Sequence, residues 1–108
     1  MAAIEYHGVG RADQVAAGAV MHVEAGGREI AIYNLGGEFV ATDDRCTHLR
    51  ARLSDGYLEG AVIECQLHFG KFDVRSGRPL AAPCTTALNT YPVKVVDGML
   101  LVGIAPLP

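Results

Sequence analysis

A chain of 108 residues fits one domain, 1–108, and is long enough to bury a core without disulfides. Half of its residues are apolar, 19% are charged and the net charge is only −3, which excludes a disordered segment; with few aromatics, no Trp and no basic run, no nucleic-acid partner is expected. No window approaches the roughly 18 consecutive apolar residues of a membrane span, and residues 1–5 lack the basic and apolar regions of a secretory signal, so a soluble, cytoplasmic protein with no membrane association is expected.

Strand and turn signals alternate along the whole chain, which predicts an all-β antiparallel sandwich or barrel. A short helical turn is expected at residues 11–17, ended by Gly18. Residues 21–25 alternate apolar and polar, Gly26-Gly27 makes a turn, and 28–34 reads as the return strand. Gly36-Gly37 gives a second hairpin into residues 38–42. Ser54-Asp55-Gly56 and Glu59-Gly60 punctuate a small hairpin, and residues 61–64 form a short apolar run. Tyr91, Val93 and Val95 are expected on one strand face, Asp97-Gly98 as a hairpin turn, and residues 99–104 as an apolar closing strand.

Chemistry concentrates in Cys46-Thr47-His48 and Cys65-Gln66-Leu67-His68, separated by 16 residues. Each segment follows a predicted strand and offers one thiol and one imidazole, so two loops can bring two sulfurs and two nitrogens to one place. Zinc sites more often pair like ligands locally, as C-x₂₋₄-C or H-x₃₋₅-H, but a structural zinc module is a possible use of this set. Mixed pairs suit a two-iron centre, in which each loop sends its Cys to one iron and its His to the other.

At these residues the sequence resembles the Rieske family, with its C-x-H and C-x-x-H loops, and within it the small ferredoxins that serve bacterial aromatic-ring-hydroxylating dioxygenases. The resemblance extends through Leu53-Ser54-Asp55-Gly56, Phe69-Gly70-Lys71-Phe72-Asp73, Ser76-Gly77 and Tyr91-Pro92-Val93. It implies a Rieske-type β-sandwich whose cluster-binding subdomain spans about residues 43–76, and a [2Fe-2S] cluster held by Cys46, His48, Cys65 and His68. Leu49, Arg50, Gly70 and Phe72 would surround the cluster, and Pro83 would sit in a cover loop. Gln66 departs from the family's usual Pro.

The implied activity is one-electron transfer in aromatic hydrocarbon catabolism. A monomeric carrier, not an enzyme itself, would take electrons from an NADH-oxidising flavoprotein ferredoxin reductase and pass them to a terminal oxygenase. The alternative from the same family is a small Rieske subunit of a reductase such as nitrite reductase. His48, His68, Arg50, Arg52 and Lys71 are candidates for docking; Arg45, Arg50, Arg52 and Lys71 crowd the loops, and neighbouring acids could equally neutralise them.

Other polar residues carry plainer expectations. His7 and His22 are placed on strands facing solvent, Cys84 is expected to be a free thiol, and Asp43, Asp44, Asp55 and Asp73 are expected to cap the backbone of their own turns. High-potential Rieske proteins carry a disulfide at the positions of Ala51 and Leu67, and Ser and Tyr hydroxyls at those of Gly70 and Phe72. With these groups missing, the midpoint potential should fall near the lower end of the Rieske range of about −150 to +300 mV. Voltammetry at neutral pH checks this, and a clearly positive midpoint contradicts it.

Overall fold

The computed structural model describes residues 3–46, 51–66, 70–82 and 86–105. Strand β1 (Glu5–Arg11) runs into a single 3₁₀ turn at Ala12–Gln14. Next come β2 (Val20–Ala25), β3 (Arg28–Asn34) and β4 (Phe39–Asp43). A second 3₁₀ turn at Leu53–Asp55 leads to β5 (Tyr57–Glu59), β6 (Val62–Glu64), β7 (Lys71–Asp73) and β8 (Pro79–Ala81). The chain closes with β9 (Thr90–Tyr91), β10 (Val93–Val96) and β11 (Met99–Ile104). Among the described residues all strand pairs are antiparallel, in three sheets ordered β1-β11-β10, β2-β3-β4-β9 and β5-β6-β7-β8.

Local chemistry explains the tight hairpins. Gly26 and Gly27 have φ of 57° and 77°, and Ala25 pairs with Arg28 around them. Two successive positive φ angles match the right-handed twist of the flanking strands, and glycine reaches them without a Cβ clash. Asp97 and Gly98, at φ 50° and 78°, make the same turn between β10 and β11, as the sequence predicts.

Strand β3 is the shared wall of the molecule. Ile30, Ala31, Ile32 and Tyr33 are all fully buried, although successive side chains of a strand point to opposite faces. Ile30 and Ile32 join one core with Val15, Val23, Leu100, Val102 and Ile104. Ala31 and Tyr33 join a second core with Leu53, Ile63, Phe72, Val74, Leu88 and the two cysteines Cys46 and Cys65. Full burial of each large side chain contributes roughly 1.5–3 kcal/mol, so the wall is held from both sides.

Two expectations are corrected. Tyr91, Val93 and Val95 do not share one strand face: Tyr91 pairs with Ala41 in the second sheet, whereas Val93 and Val95 pair with Val102 and Leu100 in the first. The break falls at Pro92, which has no N–H to give to a ladder, so the chain changes sheets there and leaves Val95 48% exposed. The helical turn at 11–17 shrinks to Ala12–Gln14, because Arg11 is still paired with Met99 in β1. The apolar strand β11 does close the chain, but it lies between β1 and β10, which is why Leu100, Val102 and Ile104 are buried. Among the described residues, no helix is long and apolar enough to cross a membrane.

The β7–β8 turn is fastened to the second core through a glycine. Gly77 (φ 79°) accepts the Leu88 amide at 2.8 Å, and a Cβ at this position would lie 2.3 Å from the Leu88 carbonyl oxygen. Gly18 has a similar φ of 81° but nothing within 4 Å. Gly77→Ala should therefore destabilise the fold by more than about 2 kcal/mol and Gly18→Ala by only about 1 kcal/mol, measured by urea unfolding.

Candidate metal centre

The two cysteines stand at the heads of loops with one design. The Cys46 amide donates to the Ala51 carbonyl at 2.9 Å, and the Cys65 amide donates to the Gly70 carbonyl at 2.8 Å. Each bond spans five residues, so the two cysteine segments are closed by backbone bonds of the same span. Below the first loop, Arg45 bridges to Arg52 and the Leu53 amide donates to the Asp44 carbonyl at 2.6 Å. The second loop rises from the β6–β7 pair, whose Glu64 and Lys71 are in register.

Both thiols are withdrawn from water, with Cys46 at 5% and Cys65 at 0% exposure, and both belong to the second core. Phe72 is fully buried beside them and Ala51 is 7% exposed. Gly70 is buried as the closing residue of its loop. Of the other expected site residues, His48, Leu49, Arg50, His68 and Pro83 lie outside the described residues, as do Leu67 and Cys84. Among the described residues, no group of three or more His, Cys, Asp or Glu side chains is gathered for a metal. The donor chemistry that is described fits a soft metal: two sulfurs are delivered by matched loops into one dry cluster, where the surroundings exclude water and competing oxygen ligands.

Polar groups under the first loop differ from expectation. Asp44 is fully buried and does not cap its own turn. Its Oδ1 accepts the Ser54 amide at 2.7 Å, and its Oδ2 accepts the Ser54 hydroxyl at 2.7 Å and Nδ1–H of His22 at 2.5 Å. His22 therefore does not face solvent; it turns inward because β2 lies over the second core on that face, in register with buried Ala31. Asp43 likewise bonds far along the chain, to the Tyr91 hydroxyl at 2.5 Å and the Asn89 amide at 3.0 Å. Asp73 behaves as expected, accepting the amides of Arg75 and Ser76.

The basic residues near the loops are partly compensated. Glu29 lies between Arg45 and Arg52, at 3.1 and 3.3 Å, so two guanidinium groups share one carboxylate. Lys71 is exposed and lines an open groove with Tyr57, Glu59, Val62, Glu64 and Leu80 on the outer face of the third sheet.

Comparison with known proteins agrees with this geometry. The Rieske [2Fe-2S] domain family matches residues 5–92. The ferredoxin component of the naphthalene 1,2-dioxygenase/salicylate 5-hydroxylase systems of Ralstonia sp is 52% identical over 83 residues, covering 77% of this chain and 80% of that one. The ferredoxin of carbazole 1,9a-dioxygenase from Nocardioides aromaticivorans IC177 superposes with a TM-score of 0.88 at 34% identity, covering 94% of this chain and 98% of that one. A chain from a complex of reduced oxygenase and oxidized ferredoxin in carbazole 1,9a-dioxygenase gives a TM-score of 0.87 at 38% identity, covering 95% of this chain and 97% of that one.

Burial, followed by the hydrogen bond to Asp43, pushes the Tyr91 hydroxyl up to about 12, and burial raises that of Tyr33 as well. The folded state thus holds these protons more tightly than the unfolded chain, whose tyrosines titrate near 10. Stability should be unaffected below about pH 10 and should fall as pH rises toward 12. Tyr91→Phe should flatten this fall, as read from urea midpoints across that range; an equal slope in the variant would contradict the assignment.

Proposed function

The chain belongs to the Rieske [2Fe-2S] family, and from that premise we propose that it is the ferredoxin component of an aromatic-ring dioxygenase system, carrying one electron at a time to a terminal oxygenase. The observation that carries this reading is the placing of Cys46 and Cys65 in one buried cluster at the heads of two matched loops. The named relatives support the choice of a carrier over a catalyst, since each is similar over most of its own length to this chain.

We assign Cys46 and Cys65 as thiolate ligands of one iron, and His48 and His68 as neutral imidazole ligands of the other. When bound, the cluster supplies reversible one-electron chemistry at a potential above that of an all-cysteine ferredoxin. The chain does the rest. Thiolates must lose their protons to bind, and the cover provided by Phe72, Leu53 and Ala51 keeps water from the sulfur side. The unit that carries the ligands, about residues 43–76, includes the β5-β6-β7 part of the third sheet and is fixed to the two-sheet body at β3.

The finer parts of the proposal concern partners. The electron source is an NADH-dependent flavoprotein ferredoxin reductase, and the protein works as a cytoplasmic monomer without nucleic acid or membrane. Docking would use His48, His68, Arg50, Arg52 and Lys71. Arg52 and Lys71 are both exposed, and a cationic rim of this kind steers an acidic partner at low salt.

Reconstitution tests the whole reading. Purified protein should show a rhombic EPR signal after dithionite. With NADH and a flavoprotein ferredoxin reductase its visible absorption should bleach, and addition of oxidised terminal oxygenase should restore it. Lys71→Glu should slow that last step several-fold at low ionic strength and much less at high salt. A colourless protein containing zinc would overturn the assignment.

A further inference from the structure

The segments that carry Cys46 and Cys65 meet at a point that neither cysteine occupies. The first leads into the 3₁₀ turn at Leu53–Asp55, which is capped by Gly56, and the second is preceded by Glu64 at the end of β6. A Cβ on Gly56 would lie 2.1 Å from the Glu64 carbonyl oxygen and 3.1 Å from that of Leu53. The φ of Gly56 is −89°, within the range open to any L-residue, so glycine is required here by close approach and not by a turn conformation. Its bare Cα makes a contact of the weak Cα–H···O class. The carbonyl it meets belongs to the same peptide unit as the Cys65 amide.

Both sides of the contact are braced. Strand β6 lies between β5 and β7, with Glu64 in register with Tyr57 on one side and Lys71 on the other, and the Cys65 amide donates to the Gly70 carbonyl at 2.8 Å. Opposite, the Gly56 amide donates to the Leu53 carbonyl at 2.9 Å, and Leu53 is fully buried in the core that holds both cysteines. The Leu53 amide is tied in turn to the Asp44 carbonyl, two residues before Cys46, and Arg52 is bridged to Arg45. A displacement at Gly56 is therefore passed to the separation of the two cysteine segments.

Magnitudes decide what an added methyl does. A Cβ does not come within 3.0 Å of a carbonyl oxygen, so a methyl on Gly56 must part the two segments by about 0.9 Å. A metal centre holds its ligand distances to within about 0.2 Å. The displacement is several times larger than one iron reaching both sulfurs can follow.

We propose that Gly56 is the positioning residue of the metal centre: its bare Cα, seated against the Glu64 carbonyl, sets the separation at which one iron bridges Cys46 and Cys65. The proposal rests on the assignment of both cysteines as ligands of one iron. It makes Gly56 a spacer that touches neither thiol.

The test compares Gly56→Ala with Gly77→Ala in the purified, cluster-loaded protein. Gly77 meets a clash of the same kind, 2.3 Å from the Leu88 carbonyl oxygen, but Gly77 and Leu88 both follow the second cysteine segment, so this methyl does not drive one segment from the other. A rhombic EPR signal in the wild-type protein comes first; its absence would overturn the Rieske reading itself, independently of Gly56. Given that signal, and with wild-type circular dichroism in both variants, Gly56→Ala should hold several-fold less iron per chain than Gly77→Ala. Any remaining EPR signal of Gly56→Ala should be broadened with shifted g values, while Gly77→Ala keeps the wild-type lineshape. Equal iron in the two variants, or a wild-type lineshape in Gly56→Ala, would reduce Gly56 to a source of general stability and overturn the proposal. Where either variant does not fold in buffer, both are folded and loaded in trimethylamine N-oxide, which is excluded from protein surfaces and favours the compact state. A folded Gly56→Ala with the same loss of iron there supports the proposal; full iron, or a Gly56→Ala chain that stays unfolded, overturns it.

Discussion

The burial of β3 on both faces is the constraint from which the rest of the structure follows. A strand in a two-layer sandwich normally shows one face to the core and the other to water. In β3 the alternate residues Ile30 and Ile32 fill the core under β11, while Ala31 and Tyr33 fill the core that contains Cys46 and Cys65. The two cores therefore share one wall, with alternate residues of β3 belonging to each. A side chain on either face is packed against its neighbours, so the wall cannot move without disturbing both cores.

Packing of this kind suits a group that must accept and release an electron with little rearrangement. The loops that offer the cysteines are anchored on strands, and each is closed by a backbone bond spanning five residues. Sites on rigid elements are held more precisely than sites on free loops. Around the cysteines the second core is almost wholly apolar. The Tyr33 hydroxyl within it is paired with Thr42 at 2.9 Å, and Thr42 donates in turn to the Asp43 carbonyl at 2.8 Å.

Charge is kept at the margin of this dry region and is ordered there. Asp43 and Asp44 are neighbours in sequence but serve opposite directions, Asp43 toward Tyr91 and Asn89, Asp44 toward Ser54 and His22. Successive residues at a strand end point to opposite sides, so one pair of acids fastens two remote segments to the end of β4. Glu29, between Arg45 and Arg52, does similar work nearer the surface.

Much of this was legible in the residues themselves. The hairpins at Gly26-Gly27 and Asp97-Gly98 follow from which residues tolerate positive φ, and the paired Cys-His segments follow from which side chains bind metal and how far apart they stand. Those are local properties, and local chemistry decides them. The role of His22, the remote bonds of Asp43 and Asp44, and the change of sheets at Pro92 were not legible, because each depends on what lies across a face from the residue. His22 sits in an alternating strand, where the pattern places it toward solvent; only the second core behind β3 makes that face an interior one. The sequence by itself determined the fold class, the spacing of the two Cys-His segments and the family, since turn geometry and residue spacing are written in consecutive residues. The tertiary structure alone decided that one strand serves two cores and that a buried carboxylate lies beneath Cys46, because burial is a relation between segments and not a property of either.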